Sequence, residues 1–194
     1  MTRRLVITEN ISLDGVVEND GSWFDPTEDS EQGRQLAAIT REHAARSDGF
    51  LVGRVTFEEM RGFWPTRVDD DTGVTDHLNR VEKYVVSQSL TDPGWDGTTV
   101  LRGGADLEPE VRDLKARDGA DIVLTGSITL ARHLLALDLV DELRLFVFPI
   151  VLGSGRRLFP AERRIEDLTL IETRPFQAGV TLLRYATAPG TAAR

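Results

Sequence analysis

A single α/β domain with antiparallel strands added at its end is the fold class this sequence predicts. Three observations carry it. Apolar, β-branched runs alternate with helical stretches over the first two thirds of the chain. Strand then follows strand, and no linker or internal repeat divides the 194 residues. Hydrophobic residues at 40% and charged residues at 28% are enough to build a core and argue against wholesale disorder.

The elements follow in order. Arg3 to Ile11 is apolar and β-branched and ends at the Asp14-Gly15 turn, so it reads as a first strand, and Ser22 to Pro26 as loop. From Glu28 to Arg46 the residues Leu36, Ala37, Ile39 and Ala44 recur at helical spacing. Phe50-Leu51-Val52 closed by Gly53 is a buried strand, and Thr56 to Phe63 a short helix ended by Pro65. Arg67 to Thr75, with three consecutive aspartates, is an exposed, solvated loop. Lys83 to Ser87 and Thr98 to Leu101 are strands around a Pro93-Gly94 turn, Leu107 to Lys115 a helix, and Asp121 to Thr125 a further strand. Ile128, Ala131, Leu134, Leu135 and Leu139 mark one face of a helix that Gly126-Ser127 opens. Leu143 to Val151, Leu168 to Glu172 and Val180 to Tyr185 are strands, with Gly153 to Arg157 as a turn. Residues 1–186 are expected to form the domain and 187–194 a flexible tail.

The net charge of −9 lies in the first half of the chain. An acidic chain lacks the clustered Lys and Arg that phosphate contacts need, so neither nucleic acid nor an anionic membrane is expected as a partner. The absence of Cys excludes disulfides, thiolate nucleophiles and Cys-based zinc sites. His43, His77 and His133 are isolated, lack metal-ligand spacing and read as surface residues, so no metal is expected. No run approaches the roughly 20 apolar residues that span a bilayer, and the N-terminus lacks a signal peptide's apolar segment. A cytoplasmic protein is the expectation.

Two strand–turn–helix steps could carry chemistry. Ile122-Val123-Leu124 runs into Thr125-Gly126-Ser127 at a helix start, where Gly permits close backbone approach and unpaired N–H groups favour an anion such as pyrophosphate. Capping by Ser127 is the structural alternative. The second step, from Leu51 to Glu58, sets Arg54 and Thr56 at another strand end, and Arg is suited to phosphate. The only basic cluster in the sequence, Arg156, Arg157, Arg163 and Arg164, could meet a phosphorylated substrate or the acidic N-terminal half of another subunit, or simply be a solvated face.

Gly53-Arg54-Val55-Thr56-Phe57-Glu58 resembles the Gly-Arg-x-Thr-aromatic-Glu motif of the dihydrofolate reductase superfamily. Ser12-Leu13-Asp14-Gly15 resembles the Ser-Leu-Asp-Gly motif of its branch related to the riboflavin-biosynthesis reductase. Val86 to Leu90, Gly126 to Leu130 and Pro149 to Gly155 add three more motifs in the family's order, so the resemblance extends from Arg3 to Tyr185. It implies a mixed, mostly parallel sheet flanked by helices, and NADPH as cofactor. By position, Gly53, Arg54 and Thr56 would line the phosphates, and Ser87 with Gln88 would lie near the adenosine 2′-phosphate. Gly126, Ser127, Ile128, Thr129 and Leu130 would hold the pyrophosphate, while Ile11 and Val17 would border the nicotinamide. Related proteins often dimerise, so a homodimer is implied, with Leu143 to Leu152 as the run that could pair across it.

Hydride reduction also calls for a proton, which a carboxylic acid raised in pKa by burial can supply. Glu28 follows Trp23 by five residues, as an acid follows a Trp in dihydrofolate reductases, although acids at a helix start also serve the helix dipole. Asp14 lies in the motif loop that flanks nicotinamide and substrate in the riboflavin-related branch, although Asp-Gly also makes an ordinary turn. Trp23, Phe57 and Phe148 could floor a pocket for a flat heterocycle. Val147 departs from the family, standing where dihydrofolate reductases place a Thr beside the catalytic acid, and this argues against a folate reductase proper. The zinc-deaminase motifs of the bifunctional riboflavin enzyme are absent. The expected function is an NADPH-dependent reductase acting on a C=N or C=O bond of a small pterin-, pyrimidine- or similar heterocyclic substrate. The alternatives are a non-catalytic NADP(H)-binding module and a structural homodimer.

Overall fold

The computed structural model describes residues 3–19, 21–25, 29–68, 70, 72–159 and 164–187. Along them run β1 (Leu5–Ser12), α1 (Glu31–Ala44), β2 (Ser47–Gly53), α2 (Arg54–Phe63), α3 (Val74–Arg80), β3 (Glu82–Val86) and β4 (Thr98–Leu101). There follow α4 (Leu107–Ala116), β5 (Asp121–Leu124), α5 (Ile128–Ala136), β6 (Glu142–Phe148), β7 (Thr169–Pro175) and β8 (Thr181–Ala186). The strands join in one sheet of order β4-β3-β2-β5-β1-β6-β8-β7. Every pairing from β4 to β6 is parallel, whereas β8 and β7 are added antiparallel, as the strand-after-strand pattern predicted.

Alternation along the strands decides which helix covers which face. Leu5, Ile7 and Ile11 of β1 join Leu51, Leu124 and Leu145 in one buried cluster with Leu107 and Leu114 of α4 and Leu134 of α5. On the opposite face Phe50, Val52 and Val85 pack against Phe57 of α2 and Leu78 of α3, and Phe146 and Leu182 against Ile39 of α1. Both faces are covered, as a parallel sheet requires.

Local chemistry sets the helix starts. The Ser30 hydroxyl accepts the Gly33 N–H at 3.0 Å, so α1 begins at Glu31 rather than near Glu28. Helix α3 departs from the expected loop. The Asp70 carboxylate accepts the N–H groups of Thr72 (2.9 Å) and Thr75 (2.7 Å), so part of the acidic run is a helix cap and not just a solvated loop. Within the run Leu143 to Leu152, the strand β6 is hydrogen-bonded on both edges, to β1 and to β8, and is core, whereas Val151 beyond it is exposed.

His43 was expected at the surface, yet it is 7% exposed. Burial foremost, then the Arg144 and Arg184 charges, push its pKa down to about 4. Burial, then Arg80 and Lys83, take His77 down to about 4 as well. In the unfolded chain a His titrates near the ordinary value of about 6.5. Below that pH the unfolded chain binds protons that the folded chain refuses. Stability from these two groups is therefore complete above pH 6.5, is lost progressively as the pH falls to about 4, and changes no further below it. Urea unfolding at neutral pH and at about pH 4.5 should show that acid loss, with a smaller loss in His43→Leu. Equal losses in the two proteins would exclude His43 as a source.

Candidate active site

Helices leave the ends of neighbouring strands on opposite faces. α2, after β2, packs with Phe50 and Val52, whereas α5, after β5, packs with Leu51 and Leu124. Such a parting opens a crevice beyond the carboxyl ends of the strands. Two helix N-termini meet there, and neither carries a side-chain cap: Gly53 precedes α2 and Ser127 precedes α5. Unpaired N–H groups at helix starts favour an anion.

The backbone at this point is held in an unusual shape. Gly126 has φ +62°, and Ser127, with φ 49° and ψ 47°, takes a left-handed conformation that costs a non-glycine residue about 1–3 kcal/mol. Ser127 does not cap its own helix, as the sequence suggested it could. Its hydroxyl accepts the Gly53 N–H at 2.9 Å, and its N–H donates to the Thr56 hydroxyl at 3.2 Å. A Cβ on Gly126 would come to 3.0 Å from Thr56 Cγ2. Gly53, Thr56, Gly126 and Ser127, two pairs that lie more than 70 residues apart in sequence, thus form one cradle.

The remaining predicted cofactor residues divide between rim and core. Arg54 is exposed on the first turn of α2 and pairs with Glu58 at 2.7 Å. Thr129 is exposed at the start of α5, whereas Ile128 and Leu130 are buried, and so are Ile11 and Val17. At the far end of the crevice, Ser87 follows β3 and accepts the N–H groups of Ser89 (3.1 Å) and Leu90 (2.9 Å), leaving its own proton to offer an acceptor. Exposed Gln88 approaches the end of β4, for a Cβ on Gly104 would lie 3.1 Å from its Nε2.

Asp14 is a clamp. Its carboxylate accepts the Ser12 hydroxyl (2.7 Å) and the N–H groups of Leu152 (3.1 Å) and Gly153 (2.9 Å), and it pairs with Arg157 at 3.3 Å. The Ser12 hydrogen bond foremost, then the Leu152 N–H, hold its pKa down to about 2. An acid ionised over the whole neutral range has no proton to give, so this geometry assigns Asp14 to joining two loops rather than to proton delivery. Glu28 lies outside the described residues.

Beside the clamp lies a pocket of about 370 Å³ lined by Val16, Glu18, Ser22, Trp23, Leu152, Ser154 and Gly155. The Trp23 ring meets Phe148 edge-on at 5.3 Å, so these two predicted aromatics do stand together. Phe57 does not join them. It is wholly buried against Trp95 on the α2 side of the sheet and is a core residue, which corrects its placement in a substrate pocket.

Two residues near the cradle were missed as site residues. Arg156, assigned only to a basic cluster, donates to the Thr129 hydroxyl at 2.8 Å and so sets a cation beside the start of α5. Glu9 is buried in the core row of β1, between Ile7 and Ile11. An acid at an apolar position of a strand was the available signal. Among the described residues no His, Asp or Glu side chains gather as a metal site, and no helix is long and apolar enough to cross a membrane.

A doubly wound sheet whose crevice is floored by glycines and flanked by two uncapped helix starts defines an α/β protein with a topological switch point. More particularly, the chain belongs to the RibD C-terminal domain family, whose sequence model matches residues 3–182. It is 30% identical over 186 residues to "Uncharacterized protein YyaP" of Bacillus subtilis (strain 168), covering 94% of each chain. A putative riboflavin biosynthesis protein from Shewanella sp. PV-4 matches with a TM-score of 0.66 at 22% identity, over 96% of this chain and 99% of that one. The dihydrofolate reductase of Enterococcus faecalis, solved with NADP(H), matches with a TM-score of 0.62 at 15% identity, over 97% and 99%. The fold is dihydrofolate-reductase-like, as the sequence resemblance implied.

Proposed function

We propose that this protein is an NADPH-dependent reductase that transfers hydride to a C=N or C=O bond of a small pterin-, pyrimidine- or similar heterocyclic substrate. The cradle carries this reading: two uncapped helix N-termini and a glycine crowded by Thr56 suit a phosphate-bearing anion such as pyrophosphate. The riboflavin-related and dihydrofolate reductase neighbours support the reaction class. Gly53, Arg54, Thr56 and Gly126 to Leu130 would hold the pyrophosphate with Arg156, and Ser87 and Gln88 would meet the 2′-phosphate. Ile11 and Val17 would border the nicotinamide, which when bound supplies the hydride.

The chain's own residues then orient and enclose. Asp14 ties the loop after β1 to the loop after β6, so that the pocket beside Trp23 keeps its shape. Glu28 is the acid assigned to proton delivery. A non-catalytic NADP(H)-binding module is the second reading, favoured by the ionised state of Asp14.

Thermal-shift titration tests the cofactor. A ligand that binds only the folded state stabilises it by about 2.7 kcal/mol at 100 times its Kd. NADPH should shift the transition more than NADH does, and no shift with either would overturn the assignment. Oxidation of bound NADPH by a panel of pterins and pyrimidinones would then support the reductase. Binding without oxidation by any of them, in the wild type and in Glu28→Gln alike, would favour the non-catalytic module.

A further inference from the structure

We propose that Arg156 is the joint through which a bound cofactor sets the substrate pocket: its guanidinium lies at the cradle, on the Thr129 hydroxyl, while its backbone is bonded into the pocket wall. The inference rests on the NADPH reading and deepens it, because it names a positioning residue that links the two halves of that site.

The loop after β6 runs back across the loop after β1 as a strap. The Leu13 N–H donates to the Ile150 carbonyl at 2.8 Å, the Asp14 carboxylate takes the Leu152 and Gly153 N–H groups, and Val16 faces Arg157 in an antiparallel bridge. At Arg156 both backbone groups are used. Its N–H donates to Glu18 Oε2 at 3.2 Å, and its carbonyl accepts the Val17 N–H at 3.0 Å. Val16 and Glu18 line the pocket from the loop after β1, and Ser154 and Gly155, just before Arg156, line it from the strap. The two lie close together here, for a Cβ on Gly155 would come to 2.7 Å from Val16 Cγ1.

Beyond Arg156 the strap is anchored. Leu158 is wholly buried, its N–H donates to the Gly15 carbonyl at 3.0 Å, and Arg132 of α5 donates to the Arg157 carbonyl at 2.6 Å. Arg156 is exposed, and among the described residues its guanidinium bonds a neutral, exposed hydroxyl, that of Thr129 in the first turn of α5, at 2.8 Å. A guanidinium has five N–H donors, so this one keeps capacity for an anion.

An anion held at the start of α5 offers that guanidinium a charged acceptor, and a charge-assisted hydrogen bond is roughly twice as strong as a neutral one. With its side chain held at the cradle and its backbone held by Val17 and Glu18, Arg156 restrains the strap from both sides. The pocket wall formed by Val16, Glu18 and Gly155 loses freedom with it. The cofactor thereby shapes the pocket before a substrate enters, and a substrate that needs the shaped wall binds the cofactor complex more tightly than the free protein.

The test is amide hydrogen exchange read by mass spectrometry on peptides over the strap, 152–158, and over the cradle turn, 125–130. Wild type, Arg156→Ala and Arg156→Lys are compared with two saturating probes: NADPH, and 2′-phospho-ADP-ribose, which keeps the phosphates and lacks the nicotinamide. In wild type both probes should slow exchange in the cradle and slow the strap by about fivefold or more. In Arg156→Ala both should slow the cradle and leave the strap at its unliganded rate, while Arg156→Lys, which keeps a cation, should recover part of the slowing. A bond with a structural role alone would change the unliganded rate and leave it independent of the probe. The wild-type comparison of the two probes decides the matter should Arg156→Ala bind neither. A strap slowed as much in Arg156→Ala as in wild type, or slowed in wild type by NADPH and not by 2′-phospho-ADP-ribose, overturns the role of Arg156 and leaves NADPH binding intact. So does an unchanged wild-type strap beside a protected cradle. A wild-type cradle and strap both indifferent to NADPH overturn the NADPH reading, and this proposal falls with it.

Discussion

Glu142→Ala should destabilise the fold by about 3–5 kcal/mol, the range for removing one partner from a buried ion pair. At the amino ends of the central strands, Glu142 is 1% exposed and takes Arg144 at 2.7 Å, Arg184 at 2.8 Å and Arg4 at 3.0 Å. Burial alone would raise its pKa, but the hydrogen bonds from Arg184 and Arg144 overcome that and hold it below the ordinary value. Without Glu142, Arg144, which is 1% exposed in the wild type, keeps only Asp121, at 3.0 Å, among the described residues. A buried guanidinium so stripped of charge compensation is the source of the cost. Against a total of about 5–15 kcal/mol for an ordinary domain, the loss is large. Urea unfolding of wild type and variant measures it. A difference under about 1 kcal/mol would place the network with exposed pairs, which contribute little.

Gly126→Val should abolish NADPH binding within any practical concentration, a loss of at least a hundredfold or about 2.7 kcal/mol. Two costs combine at this position. At φ +62° a side chain is strained, and its Cβ would meet Thr56 Cγ2 at 3.0 Å. Relief of that contact shifts Thr56 or the turn, and either shift strains the 3.2 Å Ser127 N–H bond to Thr56 that shapes the cradle. Gly94→Val separates strain from shape, because Gly94 has φ +56° and an open site whose nearest atom is Arg61 Nη1 at 3.5 Å. Both variants should lose some stability, and only Gly126→Val should lose the ligand-induced thermal shift. A structural homodimer predicts that the two behave alike.

Much of the fold was legible in the sequence, because strands and helices obey local rules. Period-two and helical spacing, with turns at Asp14-Gly15, Gly53 and Gly126, located all the main strands and four of the five α-helices among the described residues. Helix α3 escaped, since its start depends on the Asp70 carboxylate folding back on Thr72 and Thr75 rather than on an apolar stripe. The glycines of the cradle were equally legible, because close backbone approach leaves its mark on residue type.

What the sequence determined by itself was therefore the order of the elements and the two turns that meet the crevice. Only the tertiary structure decided the rest, for physical reasons that act at long range. Phe57 lies in core because α2 chose the face of Phe50 and Val52, and β6 is interior because β8 covers its second edge. Asp14 became a clamp rather than an ordinary turn residue because Leu152 and Gly153, almost 140 residues away, add their N–H groups to the local Ser12 hydroxyl. Glu9 is buried because it shares the β1 row of Ile7 and Ile11, which the fold covers, and burial pushes its pKa well above the ordinary carboxylate value. Charge state and exposure depend on what the fold brings alongside a residue, and local spacing carries no record of that.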